Sequence, residues 1–363
     1  MVPSSRSPHT RVVSWKDAAV PPTDLTGTHV LQKAFRESLA ATPANAKRAA
    51  WLTDWIRRSP TEADRIGLEY VGFGNTAARA LGWYKWHKRP FTPLGWQIDT
   101  ETLLRTRRGL DRSMDEFVSD AAASPEAIMF LNRYPRDPMA RYMAIDALFQ
   151  TVTPRPIRTV LDYGSGIGRA ALIWSFERED VAFVSVDATE SLYLLQHELY
   201  GRLFGPRFCE LLTAKPDSVV PLVPGAVAHV PSWTMDRAIP DASIDLIVCV
   251  QVLQELPEPA LRFALDQFRR VIRPHGLLYI RDNEFWTPEH RVRVGRVLLT
   301  QGWHLAFRYP GNDGTDIAGV PRMWTFTGED YSRYFQLKTR LKRALLPSYA
   351  KSYRSWRDIG LPL

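Results

Sequence analysis

The residues best suited to chemistry stand in one short run, Val160-Leu-Asp-Tyr-Gly-Ser-Gly-Ile-Gly-Arg169. An apolar segment runs into Gly164, Gly166 and Gly168 and then into a segment of helical character. Glycines tolerate positive φ and let backbone approach a ligand closely. A helix that starts there presents N–H groups with no partner inside the helix. Asp187 follows Gly168 by 19 residues and closes the next apolar segment. A carboxylate at that place accepts hydrogen bonds from both hydroxyls of a ribose, so the ligand expected here contains an adenosine-like ribose.

Glycine spacing and charge select among such ligands. A dinucleotide loop, Gly-x-Gly-x-x-Gly, would need glycine at 169, where Arg169 stands. Asp162 precedes the glycines, and a carboxylate suits a cationic ligand better than a pyrophosphate. S-adenosylmethionine has no phosphate and carries a sulfonium and an ammonium, so the sign of the Coulomb interaction favours it over a nicotinamide dinucleotide. Other catalytic patterns fail. Ser165 lacks a glycine two residues before it, as a nucleophile elbow requires. His197-Glu198 is not followed by the second His of a zinc-protease helix, and no Gly-Lys-Ser/Thr forms a phosphate loop.

These residues resemble the class I S-adenosylmethionine-dependent methyltransferases over roughly residues 157–327. Asp162-x-Gly164-x-Gly166-x-Gly168, with Ser165 inside it, resembles the family's first motif, whose backbone holds the methionine part of the cofactor. Asp187, with Ala188 behind it, matches the ribose-binding acidic position. Ile239–Val248 resembles the approach to the fourth strand. Arg269–Leu278 resembles the turn into the fifth, with His275 replacing one of its usual glycines. Trp233 or Thr234 falls where the family often has an Asp for the adenine amino group, with Asp236 close by, and Trp233 could stack on the ring. His229 either meets the adenine or lies at the surface. The resemblance implies a Rossmann-like seven-stranded methyltransferase sheet and S-adenosylmethionine as cofactor, with Gln251 also on the cofactor side.

A finer resemblance concerns the methyl acceptor. Val186-Asp-Ala-Thr-Glu-Ser-Leu-Tyr-Leu-Leu-Gln-His-Glu-Leu199 is similar to a run in sugar O-methyltransferases, as are Gln254-Glu255-Leu256 and Arg281-Asp-Asn-Glu284. A sugar hydroxyl is a poor nucleophile and wants a base, placed at the C-terminal ends of the strands. Gln251, Gln254 and Glu255 follow the fourth strand, and Asp282, Asn283 and Glu284 the fifth. Glu255 and Asp282 are the candidates for base or metal-supporting group. Equally, Glu255 could cap a helix starting near Pro257 and Asp282 could bind backbone. The alternatives are another small-molecule acceptor, RNA or protein, or a non-catalytic binding module. Val250-Gln-Val-Leu253 stands where a base-amino methylating enzyme would carry an Asn/Asp-Pro-Pro-Tyr/Phe-like motif, which makes nucleic acid an unlikely partner.

The elements that must position these residues follow from apolar periodicity. Near-continuous apolar runs alternate with helical segments from Thr159 onward, which predicts a parallel sheet covered on both faces. Strands are expected at 159–162, 181–187, 226–230, 244–250, 277–281, 303–309 and 322–326, and helices at 167–176, 192–203, 259–272 and 290–300. The expected organisation is a loose arm at 1–28, a mostly helical substrate or lid domain at 29–150, the methyltransferase domain at 151–328 and a basic helical tail at 329–363. Leu31, Phe35 and Leu39 recur at helical spacing, Trp and Tyr residues at 83–96 could line a cleft, and Tyr134 and Arg136 could lid the cofactor.

The formal net charge of +8 is unevenly placed: residues 151–300 hold 16 basic and 18 acidic side chains, while 301–363 hold 10 and 5. The basic excess therefore lies outside the half that carries the chemistry, and suits substrate capture or peripheral docking on a membrane surface. The chain is 45% apolar with two cysteines, which excludes a disordered chain and a disulfide framework. The first 28 residues contain no apolar run of signal-peptide length and no segment reaches membrane-spanning length, so the expected compartment is the cytoplasm.

Overall fold

Strands with no polar face must be covered on both sides, and the central strands of this protein are buried along almost their whole length. The computed structural model describes residues 25–41, 146, 150, 153 and 155–326, the last with gaps at 167, 176–177, 189, 216, 257, 283–293 and 309–319. The elements in chain order are α1 (Leu25–Ala41), β1 (Thr159–Tyr163), α2 (Arg169–Trp174), β2 (Ala182–Asp187), α3 (Glu190–Phe204), β3 (Phe208–Glu210), β4 (Val227–Pro231), α4 (Met235–Ala238), β5 (Ile244–Val250), α5 (Glu258–Val271), β6 (Ile272–Asp282), α6 (Val294–Thr300), β7 (His304–Arg308) and β8 (Val320–Thr325). The helices expected between 42 and 145, the aromatic cluster at 83–96, Tyr134 and Arg136, His290, Asn283, Glu284 and the basic tail lie outside the described residues.

One sheet has the order β3-β4-β2-β1-β5-β6-β8-β7. It is parallel from β3 to β6, and β8 runs antiparallel between β6 and β7. The chain leaves β1 toward β2 on one side and later returns to β5 on the other. The connections leaving the C-terminal ends of β1 and β5 therefore run to opposite sides, and a crevice opens at that switch point. The glycine run follows β1, so topology delivers it to the crevice.

Among the described residues the sheet has eight strands, not the seven expected. The additional one, β3, pairs Phe208, Cys209 and Glu210 with Val227, Ala228 and His229. Three residues are too few to show a period-2 pattern. The fifth expected strand starts earlier than apolar content suggests. Ile272 pairs with Ile244, the register then shifts, and regular pairing resumes at Leu277 opposite Leu246. The exposed Arg273, Pro274 and His275 occupy the irregular stretch.

Helix α5 shows why the helices sit where they do. Leu261, Ala264, Leu265, Phe268 and Val271 are buried at helical spacing, and Arg262 and Arg269 on the other face are exposed. That stripe packs into the main core with Leu161, Val184, Ile247 and Leu278. A smaller core forms where α1 packs on α3 and the turn after β4. Leu31 and Phe35 are buried there with Tyr193, Leu194 and Trp233, and Leu39 is half-buried, as their spacing predicts. Asp146 is bonded to β6 and Gln150 to α2. Arg281 grips Asp146 through Nε at 2.7 Å and Nη2 at 2.8 Å, Tyr279 donates its hydroxyl to Asp146 at 2.7 Å, and Trp174 Nε1 donates to Gln150 at 2.6 Å.

Candidate functional site

The loop after β1 takes the left-handed backbone that its glycines allow. Gly164, Gly166 and Gly168 have φ of 74°, 57° and 81°. Side-chain size is excluded as well as conformation. A Cβ on Gly164 would lie 2.3 Å from Cγ2 of Val252, and one on Gly168 would lie 2.8 Å from the Tyr200 ring. The loop is seated between the segment after β5 and helix α3.

Hydrogen bonds then fasten the loop to β2. Gly164 N–H and Ser165 N–H donate to the Val186 carbonyl at 2.8 and 3.3 Å. Gly166 N–H donates to Asp187 Oδ2 at 2.9 Å. Ser165 Oγ donates to the Asp162 carbonyl at 2.9 Å and sits 2.8 Å from Ser185 Oγ. Asp162 and Asp187 are both buried, on neighbouring strands whose register sets Asp162 opposite Ser185, two residues short of Asp187. The two carboxylates expected to face a cation and a ribose therefore come together at one strand end. Ala188 is half-buried immediately past β2.

Helix α3 contributes the residues that hold Asp187. The Gln196 amide donates to Asp187 Oδ2 at 3.0 Å and also to the Gly166 carbonyl. Its carbonyl faces His229 Nε2 at 3.0 Å. Glu210 is the far end of this network. It faces His229 Nδ1 at 2.8 Å and His197 Nδ1 at 3.0 Å, and it accepts the Tyr193 hydroxyl and, at 2.9 Å, the Leu212 N–H. Burial pushes the Glu210 carboxyl up, but the imidazoles of His229 and His197 overcome it and hold it down to about 2. Tyr193 and Gln196 belong to the run that resembles sugar O-methyltransferases. Here Gln196 braces the glycine loop, and Tyr193 packs behind it against His229 and Glu210.

The other wall comes from β5 and β6. Gln251, half-buried at the end of β5, has φ of 62°, and its N–H donates to the Arg281 carbonyl at 3.0 Å. Asp282 ends β6 and is buried. Its Oδ1 accepts the Val252 N–H and its Oδ2 the Gln254 N–H, each at 3.2 Å. Burial pushes Asp282 up to about 6, against the pull of Arg322 and of the loop N–H groups. Asp282 thus holds backbone, and through Val252 it sets the surface on which Gly164 rests. Glu255 lies in a single 3-10 turn, Leu253–Glu255, between that loop and α5.

Two expectations need correction. Trp233, proposed to stack on adenine, is 5% exposed and packs edge-on against Phe35, with ring centroids 4.7 Å apart. Its indole N–H donates to Ser38 at 3.1 Å, so α1 takes the polar edge of the ring and Trp233 is a core residue. His229 is neither an adenine contact nor a surface residue, since it is fully buried behind Asp187. Asp236 and His304 are exposed. Gln196, Glu210 and Asp146 were absent from the sequence-based set, because nothing in their local sequence marks a polar residue as buried.

Residues 161–280 match the family model described as "Methyltransferase domain". No curated protein matches the chain in sequence. Among solved structures, the chain is similar to a SAM dependent methyltransferase from Aquifex aeolicus, with 20% identity over 49% of this chain and 88% of that one and a TM-score of 0.34. It is similar to a TehB-like SAM-dependent methyltransferase from Corynebacterium glutamicum, with 17% identity, 61% and 98% coverage and a TM-score of 0.35. A third is the Haemonchus contortus phosphoethanolamine N-methyltransferase 1, with 13% identity, 66% and 55% coverage and a TM-score of 0.37.

Proposed function

With a methyltransferase domain over residues 161–280 as the premise, we propose that this protein transfers the methyl group of S-adenosylmethionine to a hydroxyl of a small molecule, a sugar or glycoside. The observation that carries the cofactor side is the Gly166–Asp187 hydrogen bond, which makes one unit of the glycine loop and the acidic residue closing β2. In this reading Asp162, Gly164, Ser165, Gly166, Gly168, Asp187, Ala188 and Gln251 surround the cofactor. The glycine backbone meets the methionine part, Asp187 the ribose, and the buried negative charge of Asp162 and Asp187 favours a sulfonium.

The transferred methyl is already activated on sulfur, so the enzyme's main task is alignment of the acceptor oxygen with the S–CH3 bond. A hydroxyl must also lose its proton. Glu255 is the proposed base, on the turn that follows β5. Asp282 supports it by fixing residues 252–254 through backbone hydrogen bonds. The sugar reading is supported by the resemblance at 186–199, 254–256 and 281–284, and residues 29–150 are proposed as the acceptor or lid domain.

The test is a methyl-transfer screen with labelled S-adenosylmethionine against cell extracts, with mass spectrometry of the labelled product. A methylated glycoside is expected. A labelled protein or RNA would replace the acceptor assignment. Absence of S-adenosylhomocysteine binding by calorimetry at sub-millimolar concentration would remove the enzymatic reading altogether.

A further inference from the structure

We propose that His197, Glu210 and His229 form a binding site for one first-row divalent transition-metal ion, of the zinc class, at the β3–β4 edge of the sheet. His197 comes from α3, Glu210 from β3 and His229 from β4. One ligand atom from each lies within 4.8 Å of the other two. The proposal does not depend on the methyltransferase reading.

Hydrogen-bond directions carry the argument. The Gln196 amide nitrogen points at two acceptors, Asp187 Oδ2 and the Gly166 carbonyl. Its orientation is therefore determined, and its carbonyl oxygen must be the atom facing His229 Nε2 at 3.0 Å. A carbonyl only accepts, so His229 carries a proton on Nε2. In the neutral ring Nδ1 then presents a lone pair to Glu210 Oε2, 2.8 Å away. The same oxygen faces His197 Nδ1 at 3.0 Å. Lone pairs at those distances repel unless positive charge lies between them: either a proton on each Nδ1, as when the imidazoles hold the Glu210 carboxyl down, or a single cation at the meeting point of Nδ1, Nδ1 and Oε2. The two N–O separations are only a few tenths of an ångström tighter than the edges of a tetrahedral site with bonds of about 2.1 Å.

The surroundings are those of a metal site. A ligating histidine donates its second ring N–H to a carbonyl or carboxylate, as His229 does to Gln196. The second carboxylate oxygen, Oε1, is held by the Tyr193 hydroxyl and the Leu212 N–H, which orients Oε2 toward the imidazoles. Tyr193 lies flat against the His229 ring, with centroids 3.7 Å apart. His229 is fully buried, while His197 is 24% exposed and gives the ion a path from solvent. Two imidazoles and one carboxylate suit zinc, cobalt or nickel better than magnesium or calcium, which prefer all-oxygen sets. Three protein ligands leave a fourth position for water. Binding replaces any protons held between the rings and Glu210, and those protons pass to solvent.

The experiment uses the full chain without an affinity tag, stripped with a chelator and titrated with Co2+ and then with Zn2+. The expected result is one Co2+ per chain, with d–d absorption characteristic of nitrogen and oxygen ligands, displaced by one equivalent of Zn2+. His197→Ala, at the solvent edge, should weaken binding by at least about 100-fold while far-UV circular dichroism stays unchanged. Gln196→Leu should weaken it by about 10- to 100-fold, because it removes the partner that orients His229. Failure of the wild-type chain to bind Co2+ stoichiometrically would overturn the site without recourse to a variant. Binding that is unchanged in folded His197→Ala, or a thiolate-to-cobalt charge-transfer band from Cys209, would overturn the ligand set.

Discussion

Asp187 accepts the Gly166 N–H through Oδ2 at 2.9 Å, so the acidic residue that ends β2 is a structural member of the loop that follows β1. The residue that would meet a ribose also shapes the turn that would meet the rest of the cofactor. Asp187→Ala removes both interactions and leaves Gly166 N–H and Gln196 without a shared acceptor. Hydrogen bonds to a charged group contribute about 1.5–3 kcal/mol each. Calorimetry with S-adenosylhomocysteine should show affinity reduced by at least about 10-fold, and an affinity within a factor of two of wild type would remove Asp187 from the cofactor site.

Gly164 is required twice over, by its φ of 74° and by the 2.3 Å approach of Val252 to a would-be Cβ. Gly164→Ala should cost about 1–2 kcal/mol for the left-handed backbone and about 1–3 kcal/mol for overpacking. Val252→Ala in the same chain should return the overpacking part but not the backbone part. Denaturant unfolding of the two single variants and the double variant measures this coupling, and strict additivity would show that the two residues do not meet.

Asp146 and Arg281 form a buried ion pair at 2.7 and 2.8 Å that joins the segment before β1 to β6. Asp146→Ala strands a buried guanidinium and leaves the Tyr279 hydroxyl without its acceptor. A loss of about 3–5 kcal/mol in unfolding free energy is expected. A loss below about 1 kcal/mol would show that the pair is solvated in solution.

Asp282 has its carboxyl pushed up to about 6 by burial, above the ordinary value of 3.8. Between those values the folded chain keeps a proton that the unfolded chain has released. Its contribution to stability is therefore complete below about pH 4 and falls as pH rises to about 6, by about 3 kcal/mol at most. Asp282→Asn should flatten the pH dependence of unfolding free energy in that window. An identical slope in the variant would show that Asp282 is not the titrating group.

Glu255→Gln tests the base. Turnover should fall by about 100- to 10,000-fold, the range for loss of general-base assistance. Affinity for S-adenosylhomocysteine should stay within about twofold. Equal losses in turnover and cofactor affinity would instead make Glu255 part of the loop's architecture.

The sequence alone determined a good deal: the parallel α/β order, the strand at 244–250 to the residue, the glycine loop and its acidic partner. These are local signals. An apolar run of five to seven residues that ends in glycine or carboxylate needs no partner to be recognised, because burial on both faces and positive φ are written into residue type. The amphipathic stripe of α5 and the Leu31–Phe35 pair of α1 were legible for the same reason.

Only the tertiary structure decided how polar residues are used. Glu210 lies on a strand of three residues whose existence depends on pairing with β4, and its ligand-like company comes from His197 and His229, 13 and 19 residues away. Asp282 became a support for backbone because β6 ends beside the loop after β5. Trp233 became core because α1, nearly 200 residues earlier, packs on it. A polar or aromatic side chain carries no local mark of the partner that will satisfy it. That partner is chosen by chain topology, and the energetic cost of leaving a buried polar group unpaired then decides what the residue does.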